Sequence, residues 1–83
     1  MAAADRRELI LEALQSVAPD IDTAGIDEHS NFRDQYEIDS VDFLNFVLAL
    51  ERRLAIGIAE ADYPSLSSLA GCLRYLADRG LAP

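Results

Sequence analysis

At 83 residues, 51% of them hydrophobic, the chain can form one small packed domain over residues 1–83, and it is no disordered tail. Its 15 acidic and 7 basic residues give a formal charge of -8, which argues against nucleic acid and anionic membranes as partners and favours basic protein surfaces. One cysteine, Cys72, and one histidine, His29, exclude an internal disulfide and the common zinc-ligand patterns.

No apolar run approaches the ~20 residues of a membrane span. Met1 to Arg7 is not followed by an apolar signal segment, so a cytoplasmic location is expected; the chain is also expected to be a monomer. Leu9, Ile10, Ala13, Leu14 and Val17 recur at helical spacing. Asp5 and Glu8 resemble a capping box ahead of them, and Pro19 disfavours helix beyond residue 17. The first helix is therefore expected over Asp5 to Val17.

Residues 19–38 keep no sustained period. Ile21, Ile26, Phe32, Tyr36 and Ile38 are spaced irregularly through them and are expected to tack a long loop onto the helices, with a short turn near Asn31 to Gln35. Asp20 to Gly25 starts like a calcium loop. It lacks an oxygen ligand at the fifth position and has Asn31 where a bidentate Glu would stand, so no metal is expected.

The second long helix is expected over Ser40 to Leu54. At about 100° per residue, Phe43, Phe46, Val47, Leu50 and Leu54 share one face, the core stripe. Val41, Leu44 and Leu48 fall on a second apolar arc, with Ser40 at its edge. This arc is either buried under the long loop or an exposed docking patch bounded by Asp42, Asn45 and Glu51. Residues 55–66 read as irregular, punctuated by Gly57 and Pro64, with a helical turn around Glu60 to Tyr63. Ser67 is expected to cap a last helix that turns Leu69, Cys72, Leu73 and Leu76 inward and stops at Gly80. No run alternates as a strand does. The fold class is all-α: a small bundle of three main helices and one short one, with a long first loop.

Ser40 is either the N-cap of its helix or, if Asp39 caps, the first helical residue with its hydroxyl directed outward. In the second case the helix start offers free N–H groups and a positive dipole end to a phosphate on Ser40. Ser40 has no glycine-flanked nucleophile elbow, and His29 reads as a solvated loop residue, so the residues do not make an enzyme.

The block Glu37-Ile38-Asp39-Ser40-Val41-Asp42-Phe43-Leu44-Asn45-Phe46-Val47-Leu48-Ala49-Leu50-Glu51 resembles the second helix of acyl carrier proteins. The resemblance continues through Phe32, Ile58 and Ser67 to Leu76. It implies a helical carrier that is acted on by partner enzymes and catalyses nothing itself. By the same resemblance Ser40 would receive 4'-phosphopantetheine covalently, Asp39 would belong to the motif that a phosphopantetheinyl transferase recognises, and Val41, Asp42, Leu44, Asn45, Leu48 and Glu51 would dock partners. Those partners would be acyl-activating, acyl-transfer or synthase enzymes.

Some positions depart from the family pattern. Glu37 and Ile38 replace small residues, Val41 replaces Leu or Met, and Phe43 and Phe46 are bulkier than usual. Asn45, Arg52 and Arg53 stand where carriers of fatty-acid synthesis are often acidic, and arginines there repel a basic enzyme surface. A stand-alone carrier for a specialised lipid, polyketide or secondary-metabolite pathway is the leading expectation. An aminoacyl or peptidyl carrier, or a helical interaction module never modified at Ser40, are the alternatives.

Overall fold

Apolar residues at helical spacing give three long helices in the computed structural model, which describes residues 3–80 of the chain, with side chains from residue 6 onward. In chain order the elements are α1 (Ala3–Val17), a 3-10 turn (Thr23–Gly25), short α2 (Phe32–Gln35), α3 (Ser40–Leu54), a 3-10 segment (Glu60–Leu66) and α4 (Leu69–Asp78). The described residues contain no strand, as the sequence pattern requires. α1 begins before Asp5, which is helical in its backbone; the expected capping role of its side chain lies outside the described residues.

α1 packs along α3, and α4 packs against both α1 and the 3-10 segment. The core between them is made by Ile10, Ala13 and Leu14 of α1, Phe46, Val47, Ala49 and Leu50 of α3, and Leu69, Cys72 and Leu76 of α4. Phe43 and Leu54 lean on this core only partly buried, at the two ends of the expected stripe. The Cys72 thiol donates to the Leu66 carbonyl at 3.4 Å, and burial pushes its pKa far up. It is a small hydrophobe held protonated.

The long first loop is ordered by its own side chains. Ile21, Ile26, Phe32, Tyr36 and Ile38 all pack against the core, as expected for a loop of this length. Gln35 fastens the loop's far end: its Nε2 donates to the carbonyls of Asp27 (2.8 Å) and Ser30 (3.0 Å), and its Oε1 accepts the Asp27 N–H (3.0 Å). Asp27 accepts from the His29 N–H and the Ser30 hydroxyl, and these bonds hold its carboxyl below the ordinary aspartate range. Asp22 caps the Thr23–Gly25 turn through the Ala24 N–H, which gives its carboxylate a structural partner.

Two local expectations are corrected. The residue capping α4 is Ser68, whose Oγ accepts the Gly71 N–H at 3.0 Å. Ser67 lies one residue earlier, where its carbonyl accepts the Phe32 N–H at 2.7 Å and ties the loop to the start of α4. The helical turn expected at residues 60–63 continues as 3-10 structure through Pro64 to Leu66. α4 crosses close to this segment: a Cβ on Gly71 would stand 2.4 Å from the Ser65 carbonyl oxygen, so only glycine fits. Tyr75 completes the junction by donating to Asp62 at 3.0 Å, while Arg79 bonds the Tyr75 hydroxyl at 3.0 Å and the Gly57 carbonyl at 3.3 Å.

Candidate functional site at the start of α3

The chain enters α3 with Ile38 buried in the core and Asp39 in an extended conformation. Asp39 is the N-cap. Its Oδ1 accepts the Asp42 N–H at 2.8 Å, and its carbonyl accepts the Phe43 N–H at 2.9 Å. Ser40 is therefore the first helical residue. It is exposed, and its hydroxyl has no capping duty. With the Asp42 amide engaged by Asp39, the amides of Ser40 and Val41, which have no carbonyl one turn back, form the positive end of the helix.

Beside Ser40 lies a cleft of about 500 Å³ between α2, α3 and the 3-10 segment. Phe43, Leu44, Tyr63 and Pro64 give it apolar walls, and Asn31, Arg33, Glu60 and Ser67 supply its polar groups. The aromatic walls are braced: Phe43 meets Tyr63 at 6.5 Å and Phe46 at 6.1 Å between ring centroids, and Phe46 meets Phe32 edge-on at 5.4 Å. The cleft is absent from the sequence reading, because residues 31–33 and 60–67 are far from Ser40 in the chain. The expected turns at Asn31 to Gln35 and Glu60 to Tyr63 supply lining residues, but nothing in their spacing brings them beside Ser40.

The second arc of α3 faces solvent. Val41, Leu44 and Leu48 are 65%, 43% and 39% exposed, and they are the large hydrophobic residues exposed among those described. The structure thus decides against burial beneath the loop. Asn45 is exposed within the same face, and Asp42 is half-buried. Glu51 is also half-buried, and its Oε2 accepts the Ile58 N–H at 3.0 Å, so part of its carboxylate fastens the segment after α3. Arg52 and Arg53 stand exposed at the helix's C-terminal end, where cations suit the dipole. His29, the lone histidine, is exposed in the loop with its backbone N–H held by Asp27.

An outward serine hydroxyl at the positive end of a helix, next to a half-apolar cleft and a solvent-facing apolar arc, fits a phosphate ester and the chain it would carry. Comparison with known proteins points the same way. The phosphopantetheine attachment site family matches residues 8–73. The chain is 29% identical over 73 residues to polyketide-8 synthase acyl carrier protein 2 of Streptomyces avermitilis, covering 88% of this chain and 78% of that protein. Its fold is similar to the solution structure of a candidate acyl carrier protein from Anaplasma phagocytophilum, with a TM-score of 0.79 at 20% identity, over 95% of this chain and 92% of the other. With the family match spanning most of the chain, including α3 and the cleft, this protein belongs to the acyl carrier proteins, whose phosphopantetheine-binding domain carries a covalently attached 4'-phosphopantetheine.

Proposed function

We propose that Ser40 is the attachment residue and that residues 1–83 act as one carrier domain for acyl intermediates of a specialised pathway. The observation that carries the reading is the position of Ser40: outward, relieved of capping by Asp39, and next to the exposed arc. When bound, the arm supplies a thiol that holds acyl groups as thioesters.

The chain's own residues position and present. Asp39 fixes the first turn of α3, so the Ser40 hydroxyl leaves the helix in one direction, and a phosphopantetheinyl transferase meets a rigid motif. Val41, Leu44 and Leu48 offer a small apolar surface, with Asp42, Asn45 and the free part of Glu51 around it. A patch of this size favours weak, fast-exchanging contacts, as a shuttle between successive enzymes requires. Catalysis is left to those enzymes. The cleft's apolar walls give a carried chain a place beside Ser40.

A pathway other than general fatty-acid synthesis is supported by Arg52 and Arg53, and by the likeness to a polyketide synthase carrier. The test of attachment is intact mass after incubation with coenzyme A and a broad-specificity phosphopantetheinyl transferase. Wild type should gain one phosphopantetheinyl group and Ser40→Ala none, with unchanged helicity, because the mutation removes no capping bond. A modified Ser40→Ala protein would move the site elsewhere. For the pathway, Arg52→Glu with Arg53→Glu should raise turnover by enzymes of general fatty-acid synthesis; unchanged turnover would remove the electrostatic case for specialisation.

A further inference from the structure

We propose that Arg33 makes the cleft beside Ser40 a holding site for an anionic oxygen on the Ser40-borne arm, either its phosphodiester or the carboxylate of a dicarboxylic acyl cargo. The inference rests on Ser40 being the attachment residue. Arg33 and Ser40 line the same cleft, and Arg33 is the one cation among the residues lining it. Its backbone is fixed: Asn31 caps α2 by accepting the Arg33 N–H at 2.8 Å, and the neighbouring Phe32 is buried against Phe46 and bonded to the Ser67 carbonyl.

The guanidinium, by contrast, is exposed and engaged by no hydrogen bond or ion pair among the described residues, although Glu60 lines the same cleft. A rigid base and an unengaged planar fork of donors suit an incoming phosphate or carboxylate. The charge of the surroundings strengthens the case. Asp39 and Asp42 flank Ser40 in a chain of formal charge -8, so an added anion meets repulsion that a nearby cation offsets. The anion is also tethered, and a tether raises local concentration enough for a weak exposed pair to be populated. The apolar walls of the cleft would then receive the remainder of the arm.

The experiment is amide and arginine side-chain NMR on the ¹⁵N-labelled full chain in four states: unmodified, arm-loaded, acetyl-loaded and malonyl-loaded. Movement of the Arg33 Nε–H signal on arm loading assigns the phosphodiester. Movement with malonyl but not with acetyl assigns the cargo carboxylate. In either case Arg33→Gln should abolish the accompanying shifts at Tyr63 and Ser67, and Arg33→Lys should keep part of them, with helicity unchanged in both variants. An Arg33 signal unmoved in all loaded states, or moved by acetyl and malonyl alike but not by the arm alone, would overturn the proposal. Failure of wild type to accept the arm would overturn the carrier reading as well, whereas loading without an Arg33 response overturns this inference alone.

Discussion

The two faces of α3 are built from the same kinds of residue and meet opposite fates. Phe46, Val47 and Leu50 lose nearly all contact with water, while Val41, Leu44 and Leu48 keep a third or more of theirs. Helical spacing places each set on its own arc but says nothing about which arc is covered. Coverage is decided by the rest of the chain: α1 packs along one side of α3, α4 packs against α1 and the 3-10 segment, and the second arc is left open. The apolar residues that fold this domain and those that face its partners are therefore chemically alike, and position alone separates them.

The largest effect that would break this contrast is on the buried face. Phe46→Ala should cost about 3–5 kcal/mol, because it empties a fully buried site between two other rings. Leu44→Glu, a harsher chemical change on the open face, should leave the melting temperature nearly unchanged and impair turnover by partner enzymes. A comparable loss of stability from Leu44→Glu, read by thermal denaturation, would mean that the arc is covered in solution.

Much of this was legible in the sequence: α1, α3, α4 and both arcs rest on periodicity, and the tacking role of the loop's apolar residues follows from the length of a loop that keeps no period. What was not legible depends on contacts distant in the chain. Ser67 and Ser68 are adjacent serines with the same capping propensity, and only the bond from Phe32 to the Ser67 carbonyl separates them. Ala49 is buried beside the core stripe, but an alanine carries little periodic signal. Arg33 is an ordinary loop arginine until α2 folds against α3 and the 3-10 segment. Glu51 has the place of a surface acid on the helix, yet the return of the chain at Ile58 engages its carboxylate.

Smaller effects concern the helix that both faces share. Asp39→Ala removes the cap on Asp42 and should cost about 0.5–2 kcal/mol by denaturant titration, and it should loosen the direction in which Ser40 is presented. A variant as stable as wild type would show that another group caps α3. At the opposite end, Ala55 takes a left-handed conformation, φ 55 and ψ 44, that closes α3 with the Ile56 N–H on the Glu51 carbonyl. Glycine adopts that geometry without a Cβ clash, so Ala55→Gly should stabilise the chain by roughly 0.5–1 kcal/mol. A destabilised variant would locate the strain elsewhere.

The buried Cys72 has a consequence for handling and for cargo alike. A thiol buried in the core and held protonated is a poor nucleophile, which disfavours exchange with a thioester carried on the same molecule. It is also the sole cysteine of the chain. Alkylating reagents applied to the folded protein at neutral pH therefore count free arm thiols, and their stoichiometry separates carriers with an unacylated arm from those whose arm is acylated or absent, without any partner enzyme.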